Sequence, residues 1–448
     1  MEAKTYDEFM ASLPQYAARR NAWLRRLGKR KMRMAVLLTG PYGFGTGTMR
    51  LICDICEMIL KGSQATGEAW EVVAGFLETG PYDFITDFGK LRNLGVKVRP
   101  YSLEMRPADE GRPFFNQADY GFENFCQFKD GGEDFLDCDF WLLLPGISAP
   151  IIPWRPYSVW ITDLLSRYCI EGGLAGFHDY FPAASFTLRK AAFFVATTKS
   201  TLDDAIMFFG LPRPKGWLVE AGLIYHRKPA EKPLPGLETG RYFLCVTNTT
   251  EHKNLPRLFK AAITYYANGG ELGLAFCGGS TELLDPGRQH TGPLANHPGL
   301  ATLRETVAAS PALLKHLHFL GILSDDDYIT AIKYAACVIC PTIYDNGCGA
   351  VLDASFQGVP AIMGDHPSQH EWDERFGINA RYVDPYDVEA LTLAMLEMQQ
   401  PPPKYHPSRI ELTKRASFTL ESQAPPFFKE FSRRVYEALE ISQGGHND

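Results

Sequence analysis

Two carboxylates that lie eight positions apart are the side chains in this sequence best suited to chemistry. Asp345 closes an apolar run that begins at Ala335, and Asp353 follows within the next element. Carboxylates accept hydrogen bonds from hydroxyl groups, whether of a ribose, another sugar or water. The pair therefore indicates a site for a hydroxyl-bearing ligand, provided that one structural unit positions both residues.

The segments around the two carboxylates predict such a unit. Residues 335–343 are typical of a strand buried on both faces, and residues 350–357 of a helix that Gly358 ends. Residues 359–363 then predict a second parallel strand, which completes a βαβ unit. Ligands of such sheets bind beyond the carboxyl ends of the strands, and a helix start attracts anions. A sugar nucleotide would suit both features. The spacing alone equally permits a strand-end turn residue at 345 and a solvated or capping carboxylate at 353.

The segment DNGCGAVLDASFQGVPAI resembles the Glu-x7-Glu segment of retaining family 4 glycosyltransferases, which have the GT-B fold. Asp345 and Asp353 fall on the two Glu positions, so each carboxylate here reaches one methylene less far. The resemblance implies that Asp345 binds the hydroxyls of the donor sugar and Asp353 those of the ribose. It also implies that main-chain amides of the intervening turn face the phosphates. The donor-binding residues predicted in this turn are Gly347, Cys348, Gly349 and Ala350.

A basic residue on another turn is the second part of this resemblance. Lys253 lies in His-Lys-Asn at the end of a predicted strand, before a strongly amphipathic helix that Asn254 is predicted to cap. The resemblance implies that Lys253 contacts the donor diphosphate, and an ammonium there stabilises charge on a leaving phosphate. Thr247 stands where many relatives have an Arg, and we predict donor contacts for it and for Asn248.

Three further segments resemble the family less specifically. Asp163 ends a strand segment similar to the family's His-Asp, with Thr162 in place of the His, and is the third predicted catalytic residue. The resemblance also implies donor contacts from a Gly-rich loop after the first strand and main-chain contacts to the nucleobase. The residues predicted for these contacts are Gly45, Gly47, Gly321 and Ile322.

The resemblance implies an α/β chain of two Rossmann-like domains facing each other across a cleft. The activity it implies is retaining, metal-independent hexosyl transfer without a cofactor, from a nucleoside diphosphate sugar to a glycan, lipid-linked or other hydroxyl acceptor. Surface polysaccharide biosynthesis is the expected setting. The two Asp-for-Glu changes leave an alternative open, a catalytically silent GT-B domain that binds sugar nucleotide or a partner glycosyltransferase.

Length and composition agree with two soluble domains. The composition, 45% hydrophobic and 22% charged, is ordinary for a globular protein. A chain of 448 residues is too long for a single hydrophobic core. We predict a basic segment at 1–31, an acceptor domain at 32–225, a linker at 226–240, a nucleotide-sugar domain at 241–420 and a returning C-terminal helix at 421–448. No apolar run is long enough for a membrane span, and no signal peptide is evident, so we expect a cytoplasmic protein.

Charge is distributed unevenly along the chain. The net charge is −7, yet residues 1–33 carry nine basic and three acidic residues, a net +6. Two interpretations of this segment stay open, peripheral contact with an anionic membrane and a solvated helix on the first domain. Nucleic-acid binding is not expected, because the remainder is acidic.

The ten cysteines sit mostly in apolar runs, which is typical of reduced, buried thiols. Two Cys-x-x-Cys pairs, Cys53/Cys56 and Cys337/Cys340, leave a joint zinc site as a minor alternative. We predict no metal.

Overall fold

The computed structural model of the protein describes residues 31–39, 46–68, 70–78, 89, 91–107, 124–130, 132–144, 155–169, 177–219, 229–290, 298–407 and 418–444. Gly45 and residues 1–30 lie outside these ranges, so the predictions for the glycine loop and for the basic N-terminal segment stay predictions.

The first half of the chain forms a seven-stranded parallel sheet in the order β3-β2-β1-β6-β7-β8-β9. The strands of this half are β1 (Arg33–Leu38), β2 (Glu71–Leu77), β3 (Lys97–Tyr101), β4 (Leu103–Pro107), β5 (Asn124–Phe128), β6 (Phe140–Leu144), β7 (Tyr157–Ile161), β8 (Phe193–Ala196) and β9 (Gly216–Leu218). Of these, β4 and β5 form a separate antiparallel pair. The helices are α1 (Thr46–Ala65), α2 (Leu165–Tyr168), α3 (Phe177–Lys190) and α4 (Lys199–Phe209).

The second half forms a six-stranded parallel sheet in the order β12-β11-β10-β13-β14-β15. Its strands are β10 (Tyr242–Val246), β11 (Gly273–Cys277), β12 (Leu317–Gly321), β13 (Cys337–Cys340), β14 (Ala361–Gly364) and β15 (Arg381–Val383). The helices are α5 (Leu255–Ala267), α6 (Pro298–Ala308), α7 (Pro311–Leu314), α8 (Asp325–Lys333), α9 (Gly349–Gln357), α10 (Pro367–Phe376), α11 (Val388–Glu397) and α12 (Leu420–Gly444).

Continuous apolar strands are the reason for this architecture. All five residues of β6 and of β11 are buried, as expected for strands covered by helices on both faces. Alternate residues of β1 serve two different cores, Met34 and Val36 on one face and Ala35 and Leu37 on the other. The predicted α/β class with two parallel, Rossmann-like sheets is confirmed.

The last helix returns to the first sheet. α12 packs along α1, and its residues Ala424 and Phe428 join the core beneath β1. A Cβ built at Gly62 would overlap the Cβ of Phe428, so the glycine lets the two helices approach closely. This contact lies near the C-terminal end of α1, which continues to Ala65. The predicted domain limits themselves remain a proposal.

A two-stranded antiparallel sheet stands apart from the seven-stranded sheet. β4 and β5 pair with Glu104 opposite Gln127. The short, mixed sequence of β5 has no clear strand periodicity, and the pairing supplies the order. Within the described ranges, no helix is both long and apolar enough to cross a membrane.

Candidate active site

The two turns predicted to carry the site follow neighbouring strands. β10 pairs in parallel with β13, and the strand order of the sheet reverses between them. A reversal of this kind opens a crevice beyond the carboxyl ends of the strands, where ligands of such sheets bind. The main-chain amide of Ile343 donates to the carbonyl of His252 at 2.9 Å, which holds the two turns together.

Lys253 and Asp345 form an ion pair in this crevice. Nζ of Lys253 lies 2.8 Å from Oδ2 of Asp345, and the side chains are only 18% and 20% exposed. Burial raises the pKa of Asp345, but the neighbouring ammonium outweighs burial and the net shift is downward. Burial likewise lowers the pKa of Lys253, and the carboxylate reverses that shift. Each residue therefore keeps the other charged at neutral pH.

Asp163 approaches the same pair from the first domain. It follows the carboxyl end of β7, and its Oδ1 accepts a hydrogen bond from the amide of Leu165 at 3.3 Å. Burial, followed by the charge of Asp345, raises the pKa of Asp163 from 3.8 to about 6. The structure thus brings the three residues predicted as catalytic into one cluster, with carboxylates of two domains on either side of the cleft.

Asn254 holds the Lys253 turn by a contact that differs from the prediction. It stands at the N-cap position of α5, but its backbone is left-handed with φ 62° and its side chain makes no capping hydrogen bond. Its amide nitrogen instead donates to the carbonyls of Pro341 and Pro385, at 2.9 and 2.6 Å. The predicted cap was wrong because these buried carbonyls, which lie far away in sequence, compete for the side chain.

The turn after β13 has a shape that only glycine permits at position 347. Gly347 has φ 88°, and a Cβ built there would overlap the indole of Trp372. The main-chain amide of Cys348 donates to Oε1 of Gln369 at 3.3 Å, and Cys348 stands at the N-cap position of α9 without a capping side-chain hydrogen bond. The first amides of a helix have no intrahelical acceptor, so this turn presents donors to the crevice.

A cavity of about 270 Å³ opens at these turns. Its lining includes seven of the predicted site residues, Lys253, Asp345, Gly347, Cys348, Gly349, Ala350 and Ile322. Ile322 is 63% exposed, which is unusual for a large apolar side chain. The cavity therefore combines an ammonium, a carboxylate, a helix start and an apolar wall, features that suit a phosphorylated ligand with a flat or apolar group.

Asp353 is placed differently from Asp345. It is 8% exposed and does not line the cavity. Its Oδ2 accepts a hydrogen bond from the hydroxyl of Tyr328 at 2.7 Å, and Tyr328 itself lines the cavity. The predicted role of Asp353 in ribose binding therefore requires the phenol to move or to mediate the contact. The sequence contained no signal for this pairing, because Tyr328 and Asp353 lie on different helices.

Four other predicted donor-binding residues do not line the cavity: Thr247, Asn248, Gly321 and Gly47. Thr247 is buried, its hydroxyl donates to the carbonyl of Asn248 at 2.8 Å, and Asn248 accepts from the amide of Thr250 at 3.0 Å. Gly321 has φ 66° and its carbonyl accepts from the amide of Gly278 at 2.8 Å. Gly47 lies in the first turn of α1, beyond the carboxyl end of β1.

Polar contacts across the cleft join the two domains beside the site. Oδ1 of Asn346 accepts from the hydroxyls of Thr198 and Thr201, at 2.5 and 2.7 Å. The Glu371 carboxylate accepts from the amides of Lys199 and Ser200, at 2.6 and 2.7 Å. Glu371 is thus an anion at the start of α4, a favourable place for negative charge. We call this set of contacts the interdomain clasp.

An aromatic pair extends the interdomain clasp. The rings of Tyr168 and Tyr344 stack with centroids 3.8 Å apart and planes 7° from parallel. The stack places an aromatic residue of the first domain directly against the residue before Asp345. No periodicity or motif in the sequence marked these contacts, because they join segments far apart in the chain.

The zinc interpretation of the cysteine pairs is not supported. Cys53 and Cys56 lie in a core of the first domain, whereas Cys337 and Cys340 lie in two cores of the second. Among the described residues, no group of three or more His, Cys, Asp or Glu side chains is arranged to hold a metal ion.

Comparison with known families agrees with this arrangement. Residues 227–413 match the model of the family described as glycosyl transferases group 1. This part of the chain is similar to the group 1 glycosyl transferases. The match contains both turns of the candidate site, including Lys253 and Asp345. Glycosyl transfer is therefore the class of reaction indicated for this part of the chain. A comparison with curated proteins gives no match.

Several solved structures share the two-domain fold of this protein. HepE of Anabaena, solved with UDP-glucose, is 12% identical with a TM-score of 0.53, covering 92% of this chain and 99% of its own. Sucrose-phosphate synthase of Thermosynechococcus elongatus is 12% identical with a TM-score of 0.54, covering 92% and 98%. The pneumococcal O-GlcNAc transferase GtfA, solved with UDP and GlcNAc, is 12% identical with a TM-score of 0.53, covering 92% and 99%. At such identity the likeness shows the fold, and the predicted GT-B fold is confirmed.

Proposed function

We propose that this protein is a retaining glycosyltransferase that uses a nucleoside diphosphate sugar as donor and needs no metal ion. The observation that carries the proposal is the Lys253–Asp345 ion pair, with 2.8 Å between charged atoms, at the entrance of a cavity that includes a helix start. HepE and GtfA were solved with uridine nucleotides and sugars, which supports a nucleotide-sugar donor here.

The donor would bind mainly to the second domain. The ammonium of Lys253 and the amides of residues 346–350 would hold the diphosphate, and Asp345 would accept hydrogen bonds from the sugar hydroxyls. Asp353 would bind the ribose hydroxyls once the hydrogen bond from the Tyr328 hydroxyl to its carboxylate is broken. Main chain at Gly321 and Ile322 would adjoin the nucleobase. Phosphate contacts are also proposed for Thr247, Asn248, Gly45 and Gly47.

The charge that develops on the leaving diphosphate is the main electrostatic problem of this reaction. Many transferases solve it with a divalent cation, and Lys253 together with the helix-start amides would do so here. Because Lys253 is partly buried and already ordered by Asp345, little reorganisation is needed when the donor binds. Such preorganised donors contribute about 3–4 kcal/mol of transition-state stabilisation.

The acceptor would enter from the first domain, opposite the donor. Asp163 faces the donor site from that side, and a carboxyl with a pKa of about 6 can take the proton of an acceptor hydroxyl at neutral pH. The interdomain clasp would keep the cleft closed and exclude water that could hydrolyse the donor. We propose a glycan or a lipid-linked saccharide as acceptor, in surface polysaccharide biosynthesis.

One observation favours a second candidate, a catalytically silent domain that binds a sugar nucleotide or a partner glycosyltransferase. The shorter Asp353 is already engaged by Tyr328, with 2.7 Å between Oδ2 and the phenol oxygen. If this bond persists when the nucleotide binds, the donor would be held without the ribose contact and turnover would be lost.

A panel of nucleoside diphosphate sugars separates the two candidates. Purified protein is incubated with each donor, and release of the nucleoside diphosphate is measured with and without simple glycoside acceptors. An active glycosyltransferase releases the nucleoside diphosphate from one donor. If the enzyme is retaining, proton NMR shows that the product has the same anomeric configuration as the donor sugar. Thermal stabilisation by a nucleotide without release from any donor supports the silent candidate. An inverted product contradicts the retaining mechanism.

A further inference from the structure

Two thiols meet beneath the proposed diphosphate site. Cys340 is the last residue of β13 and Cys348 stands at the N-cap of α9, and their Sγ atoms are 3.3 Å apart. They are 3% and 8% exposed. The intervening segment, residues 341–347, contains Asp345. A covalent link between these sulfurs would therefore join the two ends of the segment that carries a proposed catalytic carboxylate.

The two sulfurs differ in access and in chemical environment. Cys348 lines the cavity, so a small solute that enters the donor site can reach it, whereas Cys340 does not line the cavity. The hydrogen bond between the thiols lowers the pKa of Cys348, and the ammonium of Lys253 also lowers it. Burial acts in the opposite direction, but the net shift is downward. The same hydrogen bond raises the pKa of Cys340. A thiolate at a helix start beside a cation is typical of a reactive cysteine, and a second thiol in contact is positioned to resolve it.

We propose that Cys348 and Cys340 form a reversible disulfide that switches off donor binding. The inference that binding is lost rests on the proposed function, whereas formation of the disulfide depends only on the two thiols and their access to the cavity.

Hydrogen peroxide, which is small enough to enter the cavity, is the oxidant we propose. The Cys348 thiolate attacks one peroxide oxygen, the O–O bond breaks, and hydroxide leaves to give a sulfenic acid. The sulfur of Cys340 then loses its proton, attacks the sulfur of Cys348 and displaces the second hydroxide. Both hydroxides take up protons. Two thiols are thus oxidised to one disulfide, and one peroxide is reduced to two waters.

Closing the bond would disturb the donor site directly. A disulfide requires an S–S distance of about 2.0 Å, so the sulfurs must approach by more than an ångström from their present 3.3 Å. The start of α9 and the turn before it would move, because Cys348 supplies both the thiol and a turn amide. We expect Asp345 to shift relative to Lys253 and the nucleotide to lose about tenfold or more in affinity.

The experiment uses the full chain and the nucleoside diphosphate that stabilises it best. Reduced protein is treated with hydrogen peroxide, remaining thiols are alkylated, and peptides are mapped by mass spectrometry without reduction. The proposal predicts a peptide linked through Cys340 and Cys348 and a loss of nucleotide affinity of tenfold or more. Dithiothreitol should restore both the free thiols and the affinity. The control Cys126→Ala removes a half-buried thiol of β5 and should behave as the wild type.

A resolving-cysteine variant provides a positive signature. In Cys340→Ala the sulfenic acid at Cys348 cannot be resolved, so dimedone should label Cys348 in the variant and only weakly in the wild type. Absence of the Cys340–Cys348 link in oxidised wild type overturns the proposal even if the variant does not fold. A link that leaves nucleotide affinity unchanged overturns the switch. If no nucleotide binds reduced protein, the proposed function fails, while peptide mapping still decides the thiol chemistry.

Discussion

Lys253 Nζ and Asp345 Oδ2 lie 2.8 Å apart although 92 positions separate the two residues in the chain. The pair exists because β10 and β13 are parallel neighbours, so both turns at their carboxyl ends open into the same crevice. Each side chain is partly buried and each compensates the charge of the other. In the proposed donor complex the Lys253 ammonium would contact phosphate oxygens as well as Asp345, and the sugar hydroxyls would donate to the carboxylate.

The pH profile should report the ionisation of Asp163. Its pKa is raised to about 6, so the carboxylate required of a base forms only above that pH and the rate should rise through about pH 6. Burial lowers the pKa values of His252 and His366 to about 4, so these two histidines do not account for such a limb. Asp163→Asn should lower the rate by about a hundredfold or more. The measurement is kcat as a function of pH from 4.5 to 9.

Stability gives an independent check on the same group. A carboxyl whose pKa is raised in the folded state contributes stability below its unfolded pKa of 3.8, and this stability is lost as the pH rises through about 6. Asp163→Asn should therefore have a higher thermal midpoint than the wild type at pH 8 and no advantage at pH 4. If the difference in thermal midpoint between the variant and the wild type were the same at pH 4 and at pH 8, the raised pKa would be contradicted.

Tyr328→Phe should separate the structural bond of Asp353 from its proposed role with ribose. Removing the phenol oxygen leaves a buried carboxylate without that donor, which costs about 1–3 kcal/mol of unfolding free energy. If ribose hydroxyls take the place of the phenol, the variant should bind nucleotide as tightly as the wild type or more tightly. Asp353→Asn should weaken binding. Calorimetric titration of both variants checks this, and tight binding by Asp353→Asn would remove the ribose role.

Glu371→Gln tests the interdomain clasp. The substitution removes the negative charge that accepts hydrogen bonds from the amides of Lys199 and Ser200 at the start of α4. We expect the closed arrangement to lose about 1–2 kcal/mol, with a larger radius of gyration in small-angle X-ray scattering and more donor hydrolysis. Glu389→Gln removes an exposed carboxylate from the first turn of α11 and should change neither quantity. Equal scattering from both variants would show that Glu371 does not hold the domains together.

Gly347→Ala should destabilise the turn that carries the proposed phosphate site. The new Cβ meets the indole of Trp372, and φ of 88° strains any L-residue, so we expect a loss of about 1–3 kcal/mol. Gly349→Ala places a methyl group in open space two residues away and should leave unfolding free energy within about 0.5 kcal/mol. Chemical denaturation of the two variants measures the difference.

The sequence was sufficient to predict what depends on local pattern and strand order. Apolar runs indicated the parallel strands. Residues just beyond the carboxyl ends of parallel strands necessarily lie at one edge of each sheet. The placement of Asp345 at a strand end followed from this pattern, whereas Lys253 and Asp163 were predicted from the family resemblance.

Pairings between distant side chains could not be predicted in the same way. Asn254 is at a helix start, but its amide is recruited by two carbonyls of other loops. Asp353 matched a motif position, yet its partner is a tyrosine on the preceding helix. Such choices depend on which buried groups compete for the same donor or acceptor, and a single sequence does not contain that geometry.

Nucleotide affinity of Lys253→Met is the most direct test of the central claim, that the Lys253–Asp345 pair forms a diphosphate site. Lys260→Met, an exposed lysine of α5, is the matched control. Calorimetric titration with the best nucleoside diphosphate should show at least tenfold weaker binding for Lys253→Met, about 1.4 kcal/mol, and wild-type binding for Lys260→Met. Wild-type affinity in a correctly folded Lys253→Met variant would contradict the account.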